Sequence, residues 1–471
     1  MLVSQLFKDA EFSREIKDKE VANITDNSQK CQEGSVFVCH KSGEKYVQEA
    51  LSKGAILVVS ENKLCENSYI VKDTKKEYAR LCSEFFSNRH KNIKLIAVTG
   101  TNGKTTTANM IHTILTLSGK KCGLIGTVDS NICGEKICST MTTPDPFDIH
   151  RMFSELYEWG AEYCVIEASS QGIAEERLFG LDFYISVLTN ISRDHLDYHG
   201  TMENYISAKK QIFGGATKSV INIDDENKKE FISCCKGKVL TYSLSNNEAD
   251  YIAKSIKQDE NGSNYAVIAD YAIHRIKLNI PGEFNIMNSL AAIAVARECD
   301  VSLEFCAYAL KNFTGVKGRM EILDIGTDYK VIIDYAHTPD ALKKVLLSLK
   351  SFPHERIITV FGCGGERDRE KRSLMGDVAS QLSDIVVITS DNPRGENPTQ
   401  IIDDILVGAQ KNKKSIYIHE NRRKAIEYAL KIAGKNDIIL LAGKGHETYQ
   451  VVEDNKIPMD ERKIVCEILG K

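Results

Sequence analysis

The sequence predicts an α/β protein of three domains: a small N-terminal α/β domain, a central P-loop-type domain on a parallel sheet, and a C-terminal Rossmann-like domain. Three observations predict this class. The chain has 471 residues, more than one hydrophobic core usually organises, which indicates about three domains of ~150 residues each. Short β-branched, apolar runs alternate with runs of helical spacing, as in mainly parallel sheets covered by helices. This alternation restarts near residue 328, which indicates a second doubly wound unit.

Residues 1–91 are predicted to form the N-terminal domain. Strand signals lie at 35–39 and 55–60, where valine, isoleucine and leucine dominate. The polar segment 87–92 follows without apolar spacing, and we interpret it as a linker.

Residues 92–314 are predicted to form the central domain. The apolar run 94–98 is followed by a glycine-containing turn and then by helical spacing over 105–115. We expect a mainly parallel sheet with helices on both faces. Its further strands are predicted at 122–126, 163–168, 183–189 and 219–223.

Residues 315–471 are predicted to form the C-terminal domain. Its strands are expected at 329–334, 356–361, 384–390, 415–419 and 437–442, each followed by a helical pattern. Polar sequences come directly after four of these strands, at 334–338, 362–368, 391–394 and 443–447. Because open α/β sheets bind ligands beyond the carboxyl ends of their strands, these segments are candidates for a binding site.

The segment Gly100-Thr-Asn-Gly-Lys-Thr-Thr-Thr107 is typical of a nucleotide phosphate cradle. It joins a buried strand to a helix, so its backbone N–H groups would point at phosphate oxygens. Lys104 would supply charge at the β- and γ-phosphates, and the Thr105 hydroxyl would bind Mg²⁺. Val98 occupies the place of the first glycine of the general pattern, so a plain glycine-turn connector remains the alternative interpretation.

Composition excludes several classes of partner. The net charge is −4 with a pI near 6.3, and no long Lys/Arg stripe indicates binding to nucleic acid or to an anionic membrane. No apolar stretch approaches the ~18 residues that span a bilayer, and the N-terminus lacks a signal-peptide core. We therefore expect a cytoplasmic protein without membrane insertion.

The 14 cysteines are scattered through apolar runs without a pairing rhythm. This distribution favours reduced, mostly buried thiols over disulfides. Neither Cys234-Cys235 nor Cys133 with Cys138 has the spacing and histidine partners of a zinc site.

Five ordered motifs resemble those of the Mur ligases, and the match covers nearly the whole chain. They are Gly100-Thr-Asn-Gly-Lys-Thr, Asn190-Ile-Ser-Arg-Asp-His-Leu-Asp-Tyr-His199, Gly282-Glu-Phe-Asn285 through Asn288, Gly318-Arg-Met-Glu321 and Asp334-Tyr-Ala-His-Thr-Pro339. Within the family the sequence resembles the members that add the third residue to the peptidoglycan precursor. The resemblance implies a role in cell wall biogenesis, cell shape and cell division, with the central domain as an ATPase and the N-terminal domain binding a UDP-sugar.

The resemblance also implies a mechanism. The γ-phosphate of ATP is transferred to a carboxylate, and an amine then attacks the acyl phosphate. Lys104, Glu167, His195 and Lys209 take catalytic positions. Thr105 and Glu167 would hold one Mg²⁺, His195 would help to hold a second, and Lys209 would be a further ligand as an N-carboxylated lysine. Without the resemblance Lys209 is an ordinary helix-surface lysine, and Glu167 a solvated strand end.

The resemblance places ATP and the nucleotide-sugar substrate on further residues. ATP is expected at Gly100, Thr101, Asn102, Gly103, Lys104, Thr105, Thr106, Asn285, Asn288, Arg319 and Asp334. UDP-N-acetylmuramoyl dipeptide is expected at Ser28, Thr142, Thr143, Ser169, Glu175 and Arg177. The sequence departs from the family pattern at Gln171, where histidine is usual, at Glu175, where glutamine is common, and at Gln29, where arginine is usual. The N-terminal domain is also several residues short around 40–43.

The incoming amino acid is expected in the C-terminal domain, at Arg367, Asp391, Asn392, Pro393, Arg394, Gly443 and Glu447. A diamino acid with a second carboxylate needs a cationic fork, which Arg394 and Arg367 supply. Glu447, with the Gly443 backbone, can take the distal ammonium. The motif therefore favours meso-diaminopimelate over L-lysine, which offers Arg394 no second carboxylate. A surface turn stabilised by Asp391 and Pro393 is the alternative interpretation of the motif.

Alternative functions remain. The chain could add L-lysine or another diamino acid, or it could be a repurposed, non-catalytic relative that only binds nucleotide or precursor. Folylpolyglutamate synthetase shares the Gly-Thr-Asn-Gly-Lys loop but lacks the 391–394 and 443–447 segments as hallmarks. Catalysis is favoured because the residues of both metal positions are intact and a binding module would not need both; these residues are Lys104, Thr105, Glu167, His195 and Lys209. We expect the protein to act as a monomer.

Overall fold

The computed structural model describes residues 1–8, 10, 12–139 and 141–471. Its first region carries a four-stranded parallel sheet in the order β1-β2-β3-β4. The elements are α1 (Val3–Leu6), α2 (Arg14–Lys17), β1 (Asn23–Thr25), β2 (Ser35–Val38), α3 (Val47–Ser52), β3 (Ala55–Ser60), β4 (Ser68–Ile70) and α4 (Thr74–Phe85). Both strands expected from the sequence here are present.

The segment 87–92, which the sequence led us to interpret as a linker, connects α4 to the first strand of the next region and is packed against the protein. It contains the 3₁₀ turn Arg89–Asn92. His90 in this turn is buried and lies 5.1 Å from the His150 ring, measured between ring centroids. Arg89 pairs with Glu158 at 3.2 Å. The polar composition indicated a linker, and these contacts attach that linker to the central region.

The central region is organised around an eleven-stranded sheet in the order β15-β14-β13-β12-β11-β10-β5-β9-β6-β7-β8. Its strands are β5 (Lys94–Thr99), β6 (Cys122–Ile125), β7 (Asp129–Ile132), β8 (Glu135–Cys138), β9 (Tyr163–Glu167), β10 (Phe183–Leu188), β11 (Lys218–Asn222), β12 (Lys238–Ser243), β13 (Tyr251–Asp259), β14 (Gly262–Ala269) and β15 (Ala272–Leu278). Its helices are α5 (Lys104–Leu117), α6 (Pro146–Trp159), α7 (Ser170–Ala174), α8 (Leu196–His199), α9 (Met202–Lys210), α10 (Lys228–Ile232), α11 (Glu283–Glu298) and α12 (Leu303–Lys311).

Alternation along β5 places apolar side chains on both faces of this sheet. Ile96 and Val98 pack into one core cluster with residues of α5 and α11. Leu95 and Ala97 pack into a second cluster with residues of α6. Successive side chains of a strand point to opposite faces, so a strand that is apolar throughout is covered on both sides. The expected parallel sheet with helices on both faces is therefore confirmed at its centre.

Both edges of the central sheet are antiparallel, which the sequence analysis did not predict. The strands β6, β7 and β8 pair antiparallel at one edge, and β13, β14 and β15 do so at the other. Exposed residues alternate with half-buried or buried ones along the second half of β13 and along β15. Such alternation is the signal of a strand with one solvated face, and it could have identified these hairpins.

The C-terminal region has a six-stranded sheet in the order β16-β17-β21-β18-β19-β20, parallel except for β16. Its elements are β16 (Glu321–Ile322), β17 (Lys330–Asp334), α13 (Pro339–Lys350), β18 (Ile357–Phe361), α14 (Glu370–Leu382), β19 (Ile385–Ile388), α15 (Pro398–Ala409), β20 (Ser415–Ile418), α16 (Arg422–Ile432), β21 (Ile438–Ala442), β22 (Tyr449–Val452), β23 (Asn455–Pro458) and α17 (Glu461–Ile468).

All five strands expected in this region are present, but the last is not followed directly by a helix. The antiparallel hairpin β22–β23 intervenes between β21 and α17. The expected helices begin where the sequence carries start signals. Thr338 caps α13 and Asn397 caps α15, and proline is the first residue of both helices.

Two further expectations from the sequence concern the state of the cysteines and membrane-spanning helices. All 14 cysteines are free and most are buried, as the sequence indicated. Among the described residues, no helix is long and apolar enough to cross a membrane.

Candidate active site

The loop after β5 approaches two neighbouring segments closely, and its glycines permit this. Gly100 has φ 144° and Gly103 has φ 85°, conformations that side chains disfavour. A Cβ on Gly100 would lie 1.9 Å from Thr189 Oγ1, and one on Gly103 would lie 2.4 Å from Asn288 Oδ1. The loop is thus fixed against β10 and α11, with the first N–H groups of α5 at its end, where a helix terminus attracts anions.

Lys104 is the first residue of α5, and its side chain folds back over the loop. Its Nζ donates to Gly100 O and Thr101 O at 2.9 Å each. Burial lowers the pKa of Lys104, while the carboxylates of Glu167 and Asp194 oppose that shift. The two hydrogen bonds to the loop carbonyls place the Lys104 ammonium at the centre of the loop.

Glu167, the last residue of β9, is buried and held by three donors. Its Oε2 accepts from Thr105 Oγ1 at 2.9 Å and from Thr127 Oγ1 at 2.8 Å, and its Oε1 accepts from Thr127 N at 2.8 Å. A solvated strand end, the structural alternative for Glu167, is excluded by its 1% exposure. The carboxylate and the Thr105 hydroxyl form one group of hard oxygen atoms beside the loop.

His195 lies on the segment before α8, with a left-handed φ of 53°. Its Nε2 lies 3.3 Å from Asp194 Oδ2, and His337 Nε2, from the C-terminal region, lies 3.9 Å from the same oxygen. Desolvation lowers the pKa of His195 to about 4, against the opposing charge of Asp194. Burial would raise the pKa of Asp194, but the neighbouring cations outweigh it and lower this pKa to about 2. At neutral pH the pair is therefore a carboxylate with a neutral imidazole.

Lys209 near the end of α9 is 1% exposed, although the sequence alone favoured a surface position. Its Nζ donates to Gly100 O at 2.9 Å and lies 4.7 Å from the centre of the Tyr205 ring. Burial, reinforced by the charge of Lys104, lowers the pKa of Lys209 well below that of a free lysine. No carboxylate of the described residues pairs with it. The neighbouring Lys210 is more exposed and pairs with Glu230 at 2.9 Å.

A cavity of about 950 Å³ joins the central and C-terminal regions. Arg319 crosses between them: its Nη2 donates to Thr105 Oγ1 at 3.3 Å, and its guanidinium lies 4.3 Å from the Tyr335 ring centroid. Asp334 ends β17 and accepts from Met320 N and Ala336 N at 2.7 Å each, and burial raises its pKa. The expected site residues that line the cavity are Thr101, Asn102, Gly103, Lys104, Thr105, Thr106, Thr142, Ser169, His195, Asn288, Arg319 and Asp334.

Further polar contacts hold the two regions together around this cavity. Arg193 donates to Asp368 at 2.9 Å and to Glu370 at 2.6 Å. Asn102 donates to Asp340 at 3.0 Å. Asn285 does not line the cavity itself, but its Oδ1 accepts a hydrogen bond at 3.3 Å from Nδ2 of Asn288, which does. Residues of two separate sheets thus contribute to one site.

The residues expected to bind the nucleotide sugar fall into two groups. Thr143 Oγ1 donates to Glu167 O at 2.7 Å and lies 3.0 Å from Ser169 Oγ, and Arg177 donates to Thr143 O at 2.8 Å. Arg177 also pairs with Glu175. Ser28 lies apart, in the N-terminal region, where it donates to Glu49 at 2.7 Å.

The residues expected to bind the amino acid gather where β18, β19 and β21 end. Asn392 donates to Glu447 Oε2 at 3.0 Å. Arg394 has φ 51° and donates to Gly365 O at 2.8 Å, and burial together with the charge of Arg367 lowers its pKa. Arg367 lies 3.8 Å from Asp197 of α8, which connects this group to the central region.

The sequence analysis missed four side chains of the site: Thr127, Asp194, His337 and Lys444. Asp194, His337 and Lys444 lie within segments that it singled out, so their polar character was a usable signal. Thr127 reaches the site only through packing. Among the described residues, no three His, Cys, Asp or Glu side chains are grouped as a metal site.

Comparison with known proteins gives the same assignment across the whole chain. The Mur ligase middle domain matches residues 98–296, and the Mur ligase glutamate ligase domain matches residues 318–445. A UDP-N-acetylmuramoyl-L-alanyl-D-glutamate--2,6-diaminopimelate ligase of Caldanaerobacter subterraneus is 42% identical over 96% of this chain and 95% of the relative. A ligase of the same name from Clostridium botulinum is 40% identical over 100% of this chain and 99% of the relative.

Comparison with solved structures agrees with the matches found by sequence. A UDP-N-acetylmuramoyl-L-alanyl-D-glutamate--2,6-diaminopimelate ligase is 31% identical, with a TM-score of 0.69 over 100% of this chain and 99% of that chain. A folylpolyglutamate synthase of Mycobacterium tuberculosis shares the fold, with a TM-score of 0.66 over 83% of this chain and 94% of that chain at 17% identity. The resemblance found in the motifs is confirmed, and the chain belongs to the Mur ligase family of ATP-dependent, amide-forming ligases.

Proposed function

We propose that the chain ligates meso-diaminopimelate to UDP-N-acetylmuramoyl-L-alanyl-D-glutamate through an acyl phosphate, as the names of its relatives indicate. The observation that carries the proposal is the cavity in which Lys104 and Thr105 of the central region face Arg319 of the C-terminal region. Residues 1–91 would bind the UDP-sugar, 92–314 ATP, and 315–471 the amino acid. The reaction would take place in the cytoplasm, with the enzyme as a monomer.

The phosphoryl transfer would use the loop after β5. ATP phosphates would lie against the N–H groups of residues 100–106, and Lys104 would follow the γ-phosphate as it moves to the acceptor carboxylate. Arg319 would stabilise charge on the same phosphates from the opposite side, while Asp334, Asn285 and Asn288 would hold the nucleoside. Enclosure between two regions would exclude water from an acyl phosphate that water would otherwise hydrolyse.

The residues beside the loop fit Mg²⁺. Proteins bind this ion through one or two carboxylates together with substrate phosphates, and Glu167 and Thr105 offer hard oxygens next to the phosphate cradle. His195, held neutral by its lowered pKa, would be a further ligand. When bound, the ion would neutralise charge on the transferred phosphoryl group.

Lys209 fits the N-carboxylation that the family resemblance implies. An amine must be neutral to add to CO₂, and burial together with the charge of Lys104 lowers the pKa of Lys209, which makes the neutral form more accessible. The resulting carbamate would place an anion near the Lys104 ammonium, where opposite charges attract.

The acceptor substrate would be oriented by the cluster around Thr143. Thr142 and Ser169 line the cavity and would offer hydroxyls to the peptide, and Arg177 would pair with an anionic group of the precursor. Gln171 donates to Glu175 at 3.0 Å, so the two departures from the family pattern contact each other. Ser28 would bind the nucleotide end of the precursor.

Arg394 would select the amino acid. It lies in a loop held in a fixed conformation, and no carboxylate of the described residues pairs with it, so its guanidinium can bind the far carboxylate of meso-diaminopimelate. Arg367 would add a second cation. The attacking amine would lose its proton and form the amide as inorganic phosphate leaves.

Replacing Arg394 by alanine should raise the KM for meso-diaminopimelate about 30-fold or more. A charge-assisted contact in a desolvated pocket is worth ~2–4 kcal/mol, at ~1.4 kcal/mol per tenfold change. Activity with L-lysine should change far less, and steady-state phosphate release with both amino acids gives the ratio. Arg369→Ala, which removes a nearby exposed arginine, is the matched control. An unchanged preference would remove Arg394 from the selectivity of the enzyme.

One experiment tests the function as a whole. The protein is incubated with ATP, Mg²⁺ and UDP-N-acetylmuramoyl-L-alanyl-D-glutamate, and phosphate release is measured with a panel of amino acids. We expect release with meso-diaminopimelate together with a new tripeptide product by mass spectrometry. A preference for L-lysine would overturn the substrate assignment, and binding of ATP without turnover would support a repurposed, non-catalytic relative.

A further inference from the structure

Lys444 is a fully buried cation that the mechanism above does not use. It follows β21 and has 0% exposure. Its Nζ donates to Asn392 Oδ1 at 2.8 Å, pairs closely with Glu447, and lies 3.9 Å from Asp391 Oδ1. A buried ammonium destabilises a protein by several kcal/mol unless it is paired and hydrogen-bonded. All three partners belong to the residues expected to bind the incoming amino acid, which we call the amino-acid group.

The contacts of Lys444 determine which way the Asn392 amide points. Asn392 Oδ1 accepts from Lys444 and also from Val451 N at 2.9 Å, while Nδ2 donates to Glu447 Oε2 at 3.0 Å. Reversing the amide would place its NH₂ group against an ammonium and a backbone N–H, and its oxygen against a carboxylate. Lys444 therefore fixes a donor, rather than an acceptor, on the side of Asn392 that faces Glu447.

The hairpin β22–β23 holds the rest of the loop. Arg394 N donates to Val451 O at 3.1 Å, and Glu453 N donates to Arg394 O at 2.8 Å. The Gln450 side chain donates to the Asp391 backbone oxygen. The backbone of residues 391–394 is thus attached to the hairpin, which leaves the Asn392 and Glu447 side chains as the parts that Lys444 has to orient.

Charge gives Lys444 a second effect. Arg367, Arg394 and Lys444 carry positive charge, and Asp391, Glu447 and the neighbouring Glu366 carry negative charge, so these six side chains have no net charge. Diaminopimelate with its attacking amine neutral has two carboxylates and one ammonium, and so a net negative charge. L-Lysine in the corresponding form has no net charge. Without Lys444 these side chains would have one anion in excess, which would repel the diaminopimelate anion more than uncharged L-lysine.

We propose that Lys444 is a positioning residue for amino-acid selection: it orients the Asn392 amide and the Glu447 carboxylate, and its charge balances the carboxylates that would otherwise repel a dicarboxylic diamino acid. This inference rests on the proposed function. Lys444 acts through its neighbours, so its effect belongs to amino-acid binding rather than to phosphoryl transfer.

The test is the full-length Lys444→Met variant, which keeps the length of the side chain and removes its charge. We expect the KM for meso-diaminopimelate to rise about tenfold or more, with a smaller change for L-lysine and with the KM values for ATP and the muramyl dipeptide within about twofold of wild type. A merely structural role would change all these constants together. Lys456→Met is the matched control, because it removes a lysine from the neighbouring hairpin. The Nζ of Lys456 lies 4.6 Å from the centre of the Tyr449 ring, but the residue is exposed.

Two further measurements complete the test. In a double-variant cycle, Lys444→Met should have a smaller effect in the Asn392→Ala background than in the wild type, because part of its effect acts through Asn392 and the rest through Glu447 and charge. Asn392→Asp keeps the acceptors for Lys444 and Val451 but removes the donor to Glu447, so it should also raise the KM for meso-diaminopimelate, even if Lys444→Met does not fold. A normal KM in either folded single variant, or additive effects in the cycle, would overturn the inference. If the wild-type enzyme does not use meso-diaminopimelate, the proposed function itself fails.

Discussion

Replacing Lys209 by alanine should lower kcat about 10³-fold, a loss of about 4 kcal/mol at ~1.36 kcal/mol per tenfold change. A carbamate at this position would help to hold Mg²⁺ beside the transferred phosphoryl group, and alanine offers no ligand. The measurement is steady-state phosphate release with saturating ATP, muramyl dipeptide and meso-diaminopimelate. Small carboxylic acids that enter the vacated space should restore part of the activity.

Lys210→Ala is the matched control, because Lys210 is adjacent in sequence but pairs with Glu230 near the surface. It should remain close to wild type. Wild-type enzyme depleted of CO₂ should lose activity and regain it on addition of bicarbonate, which tests the modification without any substitution. Equal losses in the two variants, or full activity of Lys209→Ala, would show that Lys209 has no special role.

Lys104→Ala should lower kcat at least ~10²-fold, because a preorganised positive charge at the γ-phosphate contributes most in the transition state. The lysine touches only Gly100 O and Thr101 O of its own loop, so the fold should persist. Burst and steady-state kinetics measure the effect, and the melting temperature without nucleotide reports on the fold.

Lys120→Ala provides the comparison for Lys104, since it removes a lysine just beyond the other end of α5. Its activity should be unchanged. Near-normal turnover of a folded Lys104→Ala variant would be incompatible with a phosphate cradle at this loop.

The fold was predictable where local pattern and tertiary environment agree. The strand 94–98 is apolar at every position except its first, which predicts a strand buried on both faces, and both core clusters of the central region meet there. The antiparallel edges were missed because a solvated strand carries a weaker, alternating signal than a buried one, as in β13 and β15.

Site residues divide in the same way. The segment 100–107 predicts a phosphate loop by itself. Only glycine readily adopts the backbone conformations of Gly100 and Gly103 and leaves room for the atoms that lie close to them. Lys209 and Lys210 are indistinguishable in sequence, but successive helical residues point ~100° apart, so packing of α9 against the loop buries one and exposes the other.

The sequence by itself determined the α/β class, the parallel strands β5, β6, β9–β11 and β17–β21, the phosphate loop and the family to which the motifs belong. Only the tertiary structure decided that Arg319 reaches Thr105 across 214 positions of the chain, that Thr127 holds Glu167, and that Lys444 is buried among the residues of the amino-acid group. The physical reason is that glycine conformations and apolar periodicity are local properties, whereas the burial and pairing of a charge depend on which distant segments pack around it.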